Sequence, residues 1–189
     1  MARPRKNQAG QGAKERIETA FWELLEEMPF RSISVRVLSQ RAGVNHNTFY
    51  YHFASMEELA LRLVTDNIPD EFFEIAGSLF RDGSLDVGKY SQSADLEQRF
   101  KRFRLIVRNG DAYLIETGKS RLIARLLDGL GIDARSLGPH DRAKLRFFIG
   151  GIVSVLSSDE IQTFPQYLAL IEDGLADIAA DVLHQILKR

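Results

Sequence analysis

Apolar residues recur every three or four positions along most of this 189-residue chain, and that spacing predicts helices. The first predicted helix runs from Ala13 to Met28, carries its apolar residues on one stripe, and ends at Pro29. The same spacing predicts helices over 55–68, 95–108, 112–130, 140–158 and 164–189, separated by Gly-, Ser- or Pro-containing segments. Because no segment alternates apolar and polar residues as a half-buried strand does, the sequence predicts an all-α fold.

Residues 34–59 (SVRVLSQRAGVNHNTFYYHFASMEEL) predict two short helices joined by a tight turn. Ser34 is expected to cap the first helix and Asn45 the second, and Gly43 between them can take a positive φ without a Cβ penalty. Phe49 and Phe53, one turn apart, are expected to be buried. This leaves an outward face that can donate hydrogen bonds, contains no acidic residue and suits phosphate; it consists of His46, Asn47, Thr48, Tyr50, Tyr51 and His52.

The run LSQRAGVNHNTFYYHFASMEEL resembles the DNA-binding signature of the tetracycline-repressor (TetR) family. In that signature an alanine-glycine-valine turn precedes a threonine, an aromatic residue, a tyrosine and a histidine-phenylalanine pair. The resemblance implies a flexible basic arm over 1–12, a helix-turn-helix DNA-binding domain over 13–54, and a helical effector-binding and dimerisation domain over 55–189. It also implies a repressor released from a palindromic DNA operator by a small-molecule effector. The alternative is a coactivator that acts through protein contacts without binding DNA.

The resemblance also implies roles for individual side chains of the helix-turn-helix. Contacts to base edges are implied for Arg36, His46, Asn47 and Tyr50. Phosphate contacts are implied for Ser34, Thr48, Tyr51 and His52, and Asn45 also belongs to the DNA-binding residues. Three alternatives stay open: Arg36 pairs with a glutamate, Tyr50 packs against the first helix, and His52 bonds a helix end. Met56 stands where the family usually has a lysine, so one phosphate contact is lost or falls to backbone N–H groups.

The last two predicted helices suit a dimer interface. Residues 144–156 are apolar on nearly every side, and the final helix carries apolar residues at alternating three- and four-residue spacing. The alternative is a helical hairpin buried inside a monomer. Since the resembled family dimerises through its last two helices, we expect a homodimer with an interface formed by Phe148, Gly151, Ile152, Val155, Leu168, Ile171, Leu175, Ile178 and Val182.

An effector site follows mainly from the resemblance, which places a small molecule between the middle helices. The side chains that could line it are Phe72, Phe73, Phe100, Phe103, Arg104, Val107 and Tyr113, although such stripes also occur in ordinary cores. An apolar or aromatic effector is expected, with an acidic group as one option because Arg104 and Arg108 are one turn apart. Pro69 is expected to break the helix after the recognition helix near Ile68 and to act as a hinge.

Composition narrows the possible functions. With no cysteine, the chain cannot form disulfides, use a thiolate nucleophile or bind zinc through cysteine. The four histidines lack metal-ligand spacing with carboxylates, and neither a GxSxG elbow nor a phosphate-cradling glycine loop is present. We therefore predict that the protein is not an enzyme and uses no metal or cofactor. Because no apolar run is long enough to span a membrane, we predict a cytoplasmic protein without a membrane partner.

The charge is unevenly distributed along the chain. The formal net charge is −1, yet residues 1–53 carry eight Lys or Arg residues against five acidic ones, and the remainder is acidic overall. A mildly positive head on an acidic body directs the head towards a polyanion such as DNA.

Overall fold

A computed structural model describes residues 12–68 and 93–187, together with positions 70, 71, 74 and 90. This part of the chain is helical and contains no strand, so the predicted all-α fold is confirmed. The predicted basic arm up to residue 11, Pro69, Phe72, Phe73 and most of the predicted loop over 81–93 lie outside the described residues. The helices are α1 (Ala13–Glu27), α2 (Val35–Ala42), α3 (His46–His52), α4 (Met56–Asp66), α5 (Ala94–Asn109), α6 (Ala112–Gly129), α7 (Pro139–Ser157), α8 (Phe164–Leu170) and α9 (Ala176–Leu187).

The helix-turn-helix forms through the local contacts that its sequence predicts. The Val37 N–H donates to Ser34 Oγ at 3.3 Å at the start of α2, and the Thr48 N–H donates to Asn45 Oδ1 at 2.8 Å at the start of α3. Gly43 ends α2 in the left-handed region with a φ of 64°. The two caps and the Gly43 turn involve only residues that are close together in the sequence. These features of the helix ends could therefore be predicted from the sequence alone.

The start of α4 differs in one detail from a reciprocal capping box, in which the residue at the third helical position bonds back to the N–H of the capping residue. The Glu58 N–H donates to Ser55 Oγ at 3.1 Å. The Glu58 carboxylate, however, accepts from the N–H of Ala54 at 2.6 Å, one residue before the capping serine. The cap therefore extends one residue further back and ties α4 to the end of α3.

The core of the head extends into the body. Phe21, Leu38, Phe49 and Phe53 are buried together under α1, α2 and α3, and α4 adds further apolar residues to the same cluster. Ile106 and Leu114 from the body complete the cluster, which we call the head core. The side-chain amide of Asn109 also donates to the Leu25 carbonyl oxygen of α1 at 2.8 Å, and the guanidinium of Arg102 lies 5.1 Å from the Trp22 ring centroid.

Three arginines hold the C-terminal end of α4 to the body. Arg121 of α6 donates to the Leu61 carbonyl oxygen at 3.1 Å, Arg125 donates to the Ile68 oxygen at 3.3 Å, and Arg99 of α5 donates to the Asp66 oxygen at 3.0 Å. The last carbonyl groups of a helix lack partners within it and carry partial negative charge, so guanidinium groups stabilise this end. The end of α4 is thereby fixed to α5 and α6.

The predicted single helix over 164–189 is wrong, because the structure divides it into α8 and α9. A kinked turn over Ile171–Leu175 joins them, and Gly174 within that turn has a φ of 132°. A backbone in this region favours glycine and interrupts a regular helix. Leu168 in α8 and Ile171 at the first position of the turn therefore do not share one continuous stripe with Ile178 and Val182 after it.

Gly43 provides a test of the turn. Replacing Gly43 with Ala forces a Cβ into the left-handed region, so we expect a loss of about 1–2 kcal/mol in the free energy of unfolding, or roughly 2–8 °C in Tm. Gly43→Asn is the matched control and should lose less, because asparagine tolerates this region. Thermal denaturation followed by circular dichroism measures both, and equal losses for Ala and Asn would contradict the turn geometry.

Candidate nucleic-acid interface and ligand cavity

Helix α3 separates a buried face from a polar one. Phe49 is fully buried in the head core, whereas Tyr51 is 85% exposed and His46, Asn47 and Tyr50 are also exposed. Thr48 and His52 are half-buried at the edge between the two faces. No acidic residue occurs between Glu27 and Glu57, so the outward face contains nothing that would repel phosphate.

Contacts within α3 restrain its exposed side chains. The His46 ring meets the Tyr50 ring edge-on at 4.9 Å between centroids, and Tyr50 in turn meets Phe49 at 5.3 Å. Tyr51 and His52 form a similar pair at 5.0 Å. Tyr50 thus packs along its own helix while staying half exposed.

Three of the predicted contact residues also hold the helix starts. Ser34 and Asn45 accept the capping N–H groups, and the Thr48 hydroxyl donates to Asn45 Oδ1 at 2.9 Å. The Asn45 side chain therefore has its oxygen occupied twice, which favours a positioning role. The Ser34 hydroxyl hydrogen is not used by the cap that it accepts, so it can still be donated to a phosphate.

Several cations of the head are engaged inside the protein. Arg41 donates to Glu27 at 2.6 and 2.9 Å and also reaches Glu23 at 3.5 Å, and the hydrogen bonding to Glu27 is the main cause that raises the pKa of Arg41. Arg16 donates to the Ala42 carbonyl oxygen at 3.2 Å. Arg36 is exposed and takes part in none of the ion pairs formed by the described residues, so the expected pairing with a glutamate is absent there.

Met56 lies in the head core. Its side chain is buried there with Leu59 and Ala60. The chain gains apolar contact where the resembled family usually has a lysine, and the exposed side chains at the start of α4 are the acids Glu57 and Glu58. The sequence alone predicted the missing cation but not the burial of its replacement.

A cavity of about 80 Å³ lies in the body between the end of α4 and helices α5, α6, α7 and α8. Asn67 and Tyr167 are two of its polar lining residues, and burial raises the pKa of the Tyr167 hydroxyl to about 12. Its described lining is mainly apolar and consists of Asn67, Ile68, Leu96, Arg99, Phe100, Phe103, Leu122, Ile152, Leu156, Phe164 and Tyr167.

The structure brings only part of the predicted effector set to this cavity. Phe100 and Phe103 line it, whereas Val107 lines a separate space of about 20 Å³ and Tyr113 is mostly exposed on the surface. Arg104 is absent from the lining because its guanidinium donates to the carbonyl oxygens of Leu156, Ser158 and Gln162 at 2.9–3.2 Å, at the end of α7.

Arg108, the other cation of the predicted pair, forms an ion pair with Asp159 at 2.9 Å. Neither arginine of this pair therefore lines the cavity. The sequence prediction missed Asn67 and Tyr167, which come from distant segments and could have been found only as polar residues within apolar runs.

The predicted dimer-interface residues fall into three groups by their burial in the single subunit. Ile152, Leu168 and Ile171 are buried in the core of their own subunit with Phe100 and Tyr167, so they are corrected to core residues. Gly151 and Ile178 are exposed, and a half-buried set consists of Phe148, Val155, Leu175 and Val182. The largest exposed apolar side chain on α7, Phe147 at 83% exposure, was missed because a helix that is apolar all round does not reveal its outer face.

Within the described part of the chain, no group of three acidic or histidine side chains is placed to hold a metal ion. No helix among those residues is long and apolar enough to cross a membrane.

The fold and the α2–α3 surface define a helix-turn-helix protein with an all-helical body. Residues 18–63 match the family described as bacterial regulatory proteins, tetR family. The N-terminal part of the chain is therefore similar to the DNA-binding domain of that family. It is also 29% identical over 125 residues to an uncharacterized HTH-type transcriptional regulator from Haemophilus influenzae, and the match covers 60% of this chain and 58% of that relative's length.

Solved structures to which the chain is similar include a TetR-family transcriptional regulator from Streptomyces coelicolor, with a TM-score of 0.45 and 19% identity over 93% of this chain and 100% of that chain. A TetR-family repressor, AlkX from a Dietzia strain, has a TM-score of 0.46 and 19% identity over 93% and 97% of the two chains. The fatty acid degradation regulator from Bacillus halodurans has a TM-score of 0.45 and 16% identity over 94% and 96%.

Neighbouring aromatic residues of α3 allow folding and surface roles to be separated. Phe49→Ala should lose about 3–5 kcal/mol in the free energy of unfolding because it removes a fully buried ring. Tyr51→Ala should change it by less than about 0.5 kcal/mol because that ring is exposed. Urea denaturation of both variants checks this, and similar losses at the two positions would contradict the orientation of α3.

Proposed function

We propose that this protein is a sequence-specific DNA-binding regulator of transcription, acting as a homodimeric repressor that a small molecule releases from a palindromic operator. The observation that carries the proposal is α3 itself: a capped helix with a buried phenylalanine face and an exposed, acid-free polar face. The match of residues 18–63 to a family of regulatory proteins supports the same conclusion.

In this proposal α3 enters the major groove of DNA. Arg36, His46, Asn47 and Tyr50 face base edges, where arginine suits guanine and asparagine suits adenine. Phosphate contacts come from Ser34, Thr48, Tyr51 and His52, while Asn45 holds the start of α3. The exposed position of Arg36, outside the ion pairs of the described residues, favours its role as a base-reading cation.

Dimerisation follows from the small site that one recognition helix can read, since two-fold pairing doubles the number of base pairs contacted. We propose that the outer face of α7 forms the interface. It presents exposed Phe147 beside Gly150 and Gly151, and a Cβ added at either glycine would meet nothing within 4 Å in the single subunit. Gly151, Ile178 and the half-buried members of the predicted set remain in this proposed interface.

The ligand response is assigned to the cavity next to the end of α4. Asn67 and Ile68, which follow α4 directly, line this cavity, and Leu59 and Val64 of the same helix lie in the head core. A ligand that favours one position of this segment would shift α4 and the head attached to it. Pro69 stays a proposed hinge at the same place in the chain.

The alternative is a coactivator that acts through protein contacts without binding DNA. The specific observation in its favour is the start of α4, where Met56 is buried and the exposed neighbours Glu57 and Glu58 are acidic. That segment offers no cation to phosphate. The same DNA-binding experiment separates the two functions.

Selection from random duplex DNA should recover a palindrome. With roughly 6–10 phosphate contacts, affinity should fall by about 10³–10⁵ between 50 and 200 mM salt.

Arg36→Ala should cost about 1–3 kcal/mol of operator binding through loss of a base contact. Arg62→Ala, which removes an exposed arginine on α4, is the matched control and should bind like the parent. Gel shifts give these affinities, and failure to recover any operator would favour the coactivator.

Phe147→Glu should convert the dimer into monomers without unfolding them, because the residue is exposed in the single subunit and its charge would be buried only in the interface. Tyr113→Glu places the same charge at another exposed aromatic position and should leave the dimer intact. Sedimentation at micromolar concentration measures both. A monomeric parent protein, or a Phe147→Glu variant that remains dimeric, would rule out this interface.

A further inference from the structure

Two polar residues of the 80 Å³ cavity have hydrogen-bonding capacity that the protein does not use. Asn67 is 5% exposed; its Nδ2 donates to the Arg99 carbonyl oxygen at 2.8 Å, whereas its Oδ1 has no partner. Tyr167 is 8% exposed, burial raises the pKa of its hydroxyl to about 12, and this hydroxyl takes part in none of the hydrogen bonds formed among the described residues. Because buried polar atoms without partners are unfavourable, a ligand that pairs with them gains affinity.

The charges around the cavity are already matched. Arg99 is the one charged residue among the described lining residues; its Nε pairs with Asp95 at 2.6 Å, and its Nη1 donates to the Asp66 carbonyl oxygen at 3.0 Å. Arg104 is held at the end of α7. A ligand carboxylate would therefore bind unfavourably. It would approach another hydrogen-bond acceptor, Asn67 Oδ1, in mainly apolar surroundings, and no unpaired cation of the described lining would balance its charge.

We propose that the cavity binds an uncharged, largely apolar molecule that carries a hydroxyl or amide group. Asn67 Oδ1 accepts from the ligand's O–H or N–H group, and the Tyr167 hydroxyl donates to a ligand oxygen. The remaining wall, which includes Phe100, Phe103 and Leu122, takes the apolar body. A cavity of about 80 Å³ restricts the ligand to a small molecule. This inference rests on the proposed ligand response of the same cavity and specifies the chemistry of the ligand.

The position of Asn67 also links recognition to α4. It is the residue directly after the helix, and its backbone N–H donates to the Leu63 carbonyl oxygen at 3.0 Å. A hydrogen bond from the ligand to Oδ1 therefore acts on the capping residue of the helix that carries part of the head core. A ligand such as toluene, which has no hydrogen-bonding group, would occupy the cavity without making this contact.

Phenol, toluene and benzoate are matched probes, because they share one ring and differ in the polar group. With the full-length protein, isothermal titration calorimetry should show phenol binding about 2- to 10-fold more tightly than toluene, and benzoate more weakly than either. Asn67→Leu should abolish the preference for phenol and retain toluene binding. Tyr167→Phe should reduce the preference. Asn109→Leu is the control, since it removes an equivalent amide-to-carbonyl bond outside the cavity and should keep the preference.

Equal affinities for phenol and toluene, tightest binding of benzoate, no binding of any probe, or a phenol preference that survives Asn67→Leu would each overturn the inference. Gel shifts with the selected operator are run on the same samples. A phenol preference in a protein that binds no DNA would support the ligand class and contradict the proposed function. Operator binding without the phenol preference would support the proposed function and contradict the ligand class.

Discussion

The burial of two phenylalanines beneath α3 is the interaction on which the head depends. Seven residues are too few for a helix to be stable alone in water, so tertiary packing must hold α3 in place. Phe49 and Phe53, with ring centroids 5.8 Å apart, supply that packing in the head core. Their burial also fixes the rotation of the helix, which is why Tyr51 and its polar neighbours are all outside. Folding and the display of a recognition surface are therefore two results of one contact.

The features that could be predicted from the sequence depend on residues within one helical turn. The caps at Ser34 and Asn45 and the left-handed Gly43 require only neighbouring groups, and the structure has all three. The apolar stripe beginning at Leu168 gave the wrong result, since spacing does not show whether an apolar residue faces its own subunit or a partner. The break of the last helix at Gly174 was also not predicted, because glycine inside a helical pattern marks a break only when the surrounding packing requires one.

The arginines show the same limit over longer distances. Sequence reasoning assigned Arg104 to a ligand, whereas the structure uses Arg104, Arg121 and Arg125 at the ends of helices 52–60 residues away in the chain. A guanidinium has five N–H donors and can satisfy several carbonyl oxygens at once. Which helix end it reaches is a property of the tertiary fold, and so the composition of the cavity, with Asn67 and Tyr167 in its lining and Arg104 outside it, could not be predicted.

Helices α5 and α6 each contribute to two cores. Ile106 and Leu114 complete the head core, while Phe100 and Leu122, on the same two helices, belong to the core around the cavity. A boundary drawn in the sequence between a DNA-binding unit and a ligand-binding unit therefore does not separate two units that unfold independently. A fragment that ends before α4 would lose part of the apolar surface on which its own helices pack, so the two halves of the protein gain and lose their native order together.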